Sequence, residues 1–476
     1  MSEAVVAQKQ EYVRQFDTLT NEDVPLVGGK NASLGEMIGA LKDEGIRVPD
    51  GFATTADAYW HYLEANDLKD EVWAHLEALA GGDQSLSDTG AAIRKRLRTG
   101  TMPDDLADAI LEAYHALSAD YDADAIDVAA RSSATAEDLP EASFAGQQES
   151  FLNVRGDEAL LTACKNCFAS LFTDRAITYR EEQGFDHMEV ALSVGIQKMV
   201  QADKAGVMFT IDTESGFPDN AIINAGWGLG ETVVKGTITP DQYTVYKPFL
   251  EREELTPIVG KQRGAKEKKI VYADDGDAPT KTVETTDEER DAFVLTDDEI
   301  LTLARWGARI EEHYDRPMDI EWARDGETEE LFILQARPET VQSQRAASVL
   351  RTYHLQEKGE RLVTGLSIGQ SIAEGPVQII HSADEIDRFE EGGILVTEMT
   401  DPDWGPILKK AAGIVTDHGG RTSHAAIVSR ELGIPAVIGT GNATETLTDG
   451  QEVTLSCVEG SDGYVYEGLL EYETTD

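Results

Sequence analysis

The stretch 413–432 constrains the fold more tightly than any other part of the sequence. Gly413-Ile414-Val415-Thr416 reads as a short strand, Asp417-His418-Gly419-Gly420-Arg421-Thr422-Ser423 turns on two glycines, and HAAIVSREL reads as a helix that begins at His424. The same alternation surrounds this joint. GILVTEM, AGIVTD, AVIGT, EVTLSC and GYVYEG are strand signals separated by short helical ones, so about 363–472 reads as a compact α/β domain. The joint also carries chemistry. A histidine in the first turn of a helix lies beside main-chain N–H groups without helical partners and beside the positive end of the dipole, both of which favour a phosphate on its ring. Arg421 and Thr422 are placed to hold that phosphate's oxygens, and histidine is a competent nucleophile toward a phosphoryl group. A capping or core histidine, or half of a zinc pair with His418, is the bland alternative; the Gly-Gly-Arg-Thr-Ser run before His424 tips the balance toward phosphoryl chemistry.

The rest of the chain has a different texture. Residues 31–80 and 85–120 read as helical, with Leu34, Met37, Ile38 and Leu41 at helix spacing. Residues 127–131 form a short strand ending in polar residues, strand signals dominate 190–250, and 251–295 is charged and poorly periodic, which suits a surface excursion. Thr296 and Glu299 make a capping-box pair ahead of Ile300, Leu303 and Ile310. MDIEWA and LFILQAR flank a turn at Asp325-Gly326 and read as a β-hairpin, after which 341–362 is a polar linker. At ~100–200 residues per domain, 476 residues make roughly two to four domains, and the class is α+β / α/β multidomain.

Composition bounds the partners. There are 89 Asp+Glu against 41 Lys+Arg, a net charge of -48, yet 41 % hydrophobic residues suffice for a core, which excludes a wholly disordered acidic chain. Such a surface repels nucleic acid and anionic lipid, so neither nucleic acid nor membrane is expected as a partner. The acidic residues are scattered rather than blocked into a tail, as salt adaptation produces, and a halophile's cytosol is the expected setting. The N-terminus lacks a basic region followed by an apolar one, and no apolar run approaches ~20 residues, so a cytoplasmic location is expected. Cys164 and Cys167 form a CxxC without a second ligand pair or a thioredoxin-like setting, and read as buried helical cysteines.

Three further groups are candidates. Gly28-Gly29-Lys30-Asn31 is either a plain turn with a surface lysine or a glycine turn that lets a backbone approach a phosphate, with Lys30 as a point charge. Arg131-Ser132-Ser133-Ala134-Thr135 is an arginine at a strand end followed by hydroxyls, either a phosphate clamp or an ordinary turn. Asp319 and Glu321 share one face of a strand, and Gln335 and Arg337 one face of its return. Two carboxylates and an amide form a hard-oxygen set suited to Mg²⁺, with an arginine to neutralise a transferring phosphoryl group; a cross-strand ion pair is the alternative. Gly226-Trp227-Gly228-Leu229-Gly230 fails as a dinucleotide fingerprint on spacing.

GGKNASLGEM, ARSSATAEDLPEASFAGQQE, MDIEWA, LFILQARPET, MTDPDW and GGRTSHAAIVSRELGIPAVIG, in this order, resemble the phosphoenolpyruvate synthase (pyruvate, water dikinase) family from about residue 15 to 472. The resemblance implies an ATP-grasp nucleotide-binding domain over 1–340, the linker 341–362, and a swivelling phosphohistidine domain over 363–476. It implies that His424 attacks ATP, that the γ-phosphate is lost to water, and that pyruvate takes the retained β-phosphoryl to give phosphoenolpyruvate, AMP and phosphate. By motif match Lys30 and Arg131 hold ATP phosphates, and Asp319, Glu321 and Gln335 hold Mg²⁺ and nucleotide. Arg337 stabilises the transferring group, while Arg421 and Thr422 assist His424. The family continues into a TIM barrel of typically ~250 residues that binds pyruvate. The sequence stops at Asp476, so the expectation is that this chain performs the ATP half-reaction and that pyruvate chemistry needs a separate barrel. Pyruvate phosphate dikinase and rifampicin phosphotransferase share the histidine motif and remain alternatives; enzyme I of the sugar phosphotransferase system lacks the ATP-grasp elements. A non-catalytic nucleotide-binding fragment is the alternative from another class, and homo-oligomerisation is left open.

Overall fold

The structure, a computed structural model, describes residues 11–135, 150–213, 215–252, 254–273, 280–339, 352–421 and 423–475. The chain divides into two units, one of Met1–Val200, Tyr272–Thr280 and Phe332–Arg337, the other of Gln201–Val271, Lys281–Leu331 and Pro338–Asp476. A mixed α/β, multidomain chain is what the sequence predicts. Three separate sheets, of five, six and two strands, lie in the stretch 1–340.

Among the described residues of the first unit, β1 (Val13–Gln15), β2 (Gly51–Thr54), β3 (Val128–Ala134), β4 (Ser150–Val154) and β5 (Leu192–Lys198) form an antiparallel sheet in the order β1-β2-β5-β3-β4. Helices α1 (Val24–Leu41), α2 (Ala56–Ala65), α3 (Leu68–Ala80), α4 (Leu86–Thr99), α5 (Asp104–Asp120), α6 (Asp157–Ser170) and α7 (Asp174–Gln183) accompany it. Several starts are set locally: the hydroxyls of Thr55, Ser85 and Thr173 accept N–H bonds from Ala58, Asp88 and Ala176, satisfying donors the first turn leaves without partners. The core gathers Phe52, Tyr59, Tyr62, Tyr114, Phe168 and Ile196. Cys164 and Cys167 lie in it, free and buried, and burial pushes the Cys164 thiol up to about 12, so it is inert at neutral pH.

Two expectations are corrected here. The helical reading of 31–80 passes over β2, whose four residues are all buried between β1 and β5. A strand so short and so wholly buried carries no alternation to read. Arg131 does not end a strand before a hydroxyl turn. It lies within β3, and Arg131, Ser132 and Ser133 pair with Gly195, Val194 and Ser193 of β5. The Glu137 and Asp138 part of that motif lies outside the described residues.

Arg180 on α7 is fully buried. It donates through Nη1 to the Leu171 carbonyl (2.7 Å) and through Nε to His187 Nδ1 (2.9 Å), which fixes His187 as a neutral acceptor. Burial, and then the neighbouring guanidinium, hold the His187 pKa down at about 4. The unfolded chain titrates near ~6.5 and so binds this proton more readily. The contribution is complete above that value and is lost as pH falls toward about 4. Thermal unfolding of wild type is expected to show this loss between those limits. His187→Gln should flatten the difference between melts at the two ends of the window; an unchanged difference would rule out this residue as its source.

In the second unit, β6 (Ala202–Phe209), β7 (Asn220–Trp227), β8 (Asp241–Tyr246), β9 (Ile258–Gln262), β10 (Lys268–Tyr272), β11 (Thr280–Glu284), β12 (Met318–Asp325) and β13 (Leu331–Pro338) appear in chain order, with α8 (Glu231–Val234), α9 (Asp287–Asp291) and α10 (Asp297–Tyr314) between them. The sheet order is β13-β12-β6-β7-β8-β9, with β10 and β11 pairing apart; the middle of β13, Phe332–Arg337, is counted with the first unit. The expected hairpin and capping box are present, the latter starting α10 reciprocally from Thr296 and Glu299. Residues 251–295 are not a bare surface excursion: they hold β9, β10, β11 and α9. The edge strand β9 is mostly exposed, so its sequence shows no apolar face.

β14 (Thr352–Leu355) pairs with β22 (Tyr472–Thr475). Of the expected linker 341–362, residues 352–355 and 361–362 are strand, while 340–351 lies outside the described residues. Between them β15 (Arg361–Ile368), β16 (Ile372–Ile379), β17 (Ile394–Thr397), β18 (Gly413–Thr416), β19 (Ala436–Ile438), β20 (Glu452–Ser456) and β21 (Asp462–Glu467) close into a barrel, in the order β15-β19-β18-β17-β16-β20-β21. The expected small α/β domain is therefore a closed barrel with α11 (Gly405–Leu408), α12 (His424–Leu432) and α13 (Ala443–Thr446). Its parallel strands are buried on both faces. Ile394, Val396 and Val415 belong to one cluster, while the alternate Leu395 and Ile414 join Ile407, Ala425 and Ala426 of the helices. Among the described residues no helix is long and apolar enough to cross a membrane.

Candidate functional site

α1 is broken where the sequence predicts a glycine turn. Gly28 adopts φ 75° and ψ 163°, so Lys30 stands at the start of the second helical segment. A Cβ at Gly28 would lie 2.3 Å from Ser133 Oγ and 2.6 Å from the Ser133 carbonyl oxygen, so only glycine allows α1 to press onto β3 there. Lys30 Nζ donates to the Ser132 carbonyl at 3.5 Å, Ser33 Oγ to the Ala336 carbonyl at 2.8 Å, and Arg131 Nη1 to the Leu334 carbonyl at 3.4 Å. These three bonds gather Lys30, Arg131 and the segment holding Gln335 and Arg337 into one corner of the first unit. Gln335 is 8 % exposed. Asn31, buried, braces the corner by donating to Val27 O and Ser193 Oγ.

In the second unit Asp319 and Glu321 share a face of β12, since Met318, Ile320 and Trp322 between and beside them are buried on the other. Register carries that face across the sheet: Glu321 lies opposite Val207, Val207 opposite Asn224, and Asn224 opposite Gln242. Among the described residues no group of three or more His, Cys, Asp or Glu side chains converges on a metal position. The Asp319–Glu321 pair is a two-carboxylate, hard-oxygen set, and such a set fits a divalent cation that takes its remaining ligands from water and substrate.

His424 opens α12 as expected. Ser423 is the N-cap, with φ -65° and ψ 157°, and accepts from the Ala426 N–H. Thr400 Oγ1 lies 3.1 Å from His424 Nδ1. In the tautomer where Nδ1–H donates to that hydroxyl, Nε2 keeps its lone pair for a phosphoryl group. The loop before it is fastened from both sides. Asp417 N and His418 N donate to the carbonyls of Thr397 (3.1 Å) and Glu398 (2.9 Å), and the Asp417 carboxylate accepts from Thr440 Oγ1 (3.2 Å) and Thr444 N (3.1 Å). Arg421 is held by the barrel. Its guanidinium is buried and donates to the carbonyls of Ser367 (2.9 Å) and Ser461 (3.1 Å), so it clamps the loop to the barrel wall. Thr422 lies outside the described residues. A cavity of about 260 Å³ is lined by Asn224, Thr239, Gln242, Gln262, Arg263 and Arg421 among others.

The structure counts Lys30, Arg131, Gln335 and Arg337 with the first unit and Asp319, Glu321, Arg421 and His424 with the second, whereas the sequence reading set Asp319, Glu321, Gln335 and Arg337 in one domain. Sequence reasoning gave these residues from local motifs. It missed Thr400, Ser33 and Asn31, which act through bonds between segments far apart in sequence. Only the Thr-Asp-Pro cluster after Met399 offered a local turn signal for the first of these.

Comparison with known proteins adds the family. The family described as "Pyruvate phosphate dikinase, AMP/ATP-binding domain" matches residues 24–357, and "PEP-utilising enzyme, mobile domain" matches residues 389–460. Phosphoenolpyruvate synthase of Aquifex aeolicus is 52% identical over 99% of this chain and 56% of its own length. The proteins of that name from Escherichia coli and Deinococcus radiodurans are each 52% identical over 96% and 97% of this chain, and 58% of their own lengths. The chain therefore spans less than three-fifths of the length of the curated relatives it matches.

Proposed function

From the premise that the chain belongs to the pyruvate phosphate dikinase AMP/ATP-binding family, we propose that it carries out the ATP half of a phosphoenolpyruvate synthase reaction. In this reading residues 1–340 are an ATP-grasp nucleotide-binding domain and 363–476 a phosphohistidine domain. The observation that carries it is the seat of His424: first in its helix, Nδ1 held by Thr400, on a loop fastened by Asp417. Nε2 attacks the β-phosphorus of ATP, and the bond from that phosphorus to the oxygen it shares with AMP breaks. AMP leaves, water takes the terminal phosphoryl as inorganic phosphate, and the ring retains one phosphoryl. Lys30, Arg131 and Arg337 hold and neutralise the phosphates, and Gln335 adds an amide from the same corner. Asp319 and Glu321 would hold Mg²⁺, which when bound supplies charge neutralisation to the phosphate oxygens. Likeness to the phosphoenolpyruvate synthases supports pyruvate as the final acceptor.

Product analysis tests the reading. ATP with Mg²⁺ should give AMP and phosphate without added phosphate; ADP as the sole nucleotide product would reject it. Glu321→Gln is expected to lower the rate of AMP formation by about 10²–10³-fold and to raise the Mg²⁺ concentration giving half the maximal rate. An unaltered Mg²⁺ titration would remove Glu321 from the cation site.

A further inference from the structure

The segment between α8 and β8 presses on the histidine loop within the second unit. Thr239 Oγ1 donates to the Gly419 carbonyl at 3.1 Å. Gly236, at φ +64°, lies so close to the N-cap of α12 that a methyl group there would come within 2.4 Å of Ser423 Cβ and 2.7 Å of its Cα. A methyl at Gly420 would meet Pro240 Cδ at 2.7 Å, and one at Gly439 would meet Thr239 Oγ1 at 3.2 Å. Glycine thus stands on both sides of the contact wherever backbone meets backbone or ring. The segment is itself rigidly backed. Lys266 N donates to the Thr239 carbonyl (3.1 Å), and Gly264 packs beneath, a methyl there meeting the Thr239 and Pro240 carbonyl oxygens at 2.1 and 2.2 Å.

We propose that the loop 236–240 is a docking cradle for the loop and helix that carry His424, and that Gly236 and Thr239 are positioning residues for phosphorylation of that histidine. The inference rests on the reading of His424 as the phosphoryl acceptor. The contact comprises the 3.1 Å hydrogen bond and close glycine approaches, with no ion pair across it among the described residues. A cradle of this kind sets where Nε2 stands without touching substrate. It therefore affects the rate of transfer and leaves ATP affinity alone.

The test compares wild type, Thr239→Val, Thr239→Ser and Gly236→Ala in two measurements. Hydrogen–deuterium exchange over 419–427 reads the contact, and acid-labile label from β-labelled ATP at saturating and half-saturating concentrations reads its role. Thr239→Val loses one hydrogen bond at constant shape, so exchange should quicken and the labelling rate fall by about two- to tenfold. Half-saturation by ATP should not move, and Thr239→Ser should restore both values. Gly236→Ala should show the larger loss of rate. Exchange in Thr239→Val equal to wild type overturns the cradle. Faster exchange with an unchanged labelling rate overturns the positioning role. Absence of label in wild type overturns the reading of His424 instead, and the exchange data still decide the contact.

Discussion

Replacing His424 with alanine is expected to leave a folded protein that binds ATP and forms no acid-labile phosphoenzyme, with AMP formation down by roughly 10⁴-fold or more. The size of the effect follows from the chemistry. Without the ring nitrogen there is no protein nucleophile to split the reaction, and the remaining phosphate-binding groups cannot substitute for one. Folding should survive, because alanine is the better helix former at the start of α12, and the N-cap bond from Ala426 N to Ser423 does not involve the ring. The substitution does remove the hydrogen bond between the ring and Thr400 Oγ1. Nucleotide binding measured by calorimetry should match wild type while label and AMP formation vanish together. Retained label in the variant would mean that another residue accepts the phosphoryl.

Asp241→Ala should produce the largest loss of stability outside the site. Asp241 and Lys266 form an ion pair with both side chains at 0% exposure. The carboxylate also accepts from Gly264 N (2.9 Å), Val294 N (2.7 Å) and Tyr243 Oη (3.1 Å), and Lys266 donates on to the Gly264 carbonyl (2.9 Å). Burial and the adjacent carboxylate drive the Tyr243 phenol well above its ordinary range, so it remains a donor at any working pH. Removing the carboxylate strands a buried ammonium and three further donors. A cost of about 3–5 kcal/mol follows, which in a unit of this size lowers the melting temperature by roughly 6–20 °C. Asp241→Leu combined with Lys266→Met removes the charge together with its partner and should recover a large part of the loss. A thermal melt of Asp241→Ala within about 2 °C of wild type would show that water reaches the pair and that the pair does not brace β8.

What was legible in the sequence was local. The glycine turn into α12, the Thr296–Glu299 capping box and the hairpin at Asp325 are written in neighbouring residues, since turn chemistry and capping act over three or four positions. Placing Lys30 near a helix start worked for the same reason, although the break at Gly28 is enforced by contact with Ser133 more than a hundred positions later. What was hidden depends on distant pairing. β2 is a strand because β1 and β5 flank it, and the barrel closes because β15 pairs with β19 and β21. Neither relation leaves a periodic trace. Arg421 shows the limit at the level of one side chain. Its place after Gly-Gly suggested phosphate, and nothing in the neighbouring residues announced the two barrel carbonyls to which its buried guanidinium donates. The acidic surface had the reverse effect. It made polyanions unexpected as general partners, and so made the few gathered cations, Lys30 and Arg131 in one corner, the informative exception.

The central claim is that His424 retains the β-phosphoryl of ATP, and the position of the label tests it most directly. Wild type incubated with Mg²⁺ and ATP labelled in either the β or the γ phosphoryl should become acid-labile-labelled only from the β position, on the peptide containing His424, while γ-label appears as inorganic phosphate. Label arriving from the γ position, or on any other peptide, would contradict the account.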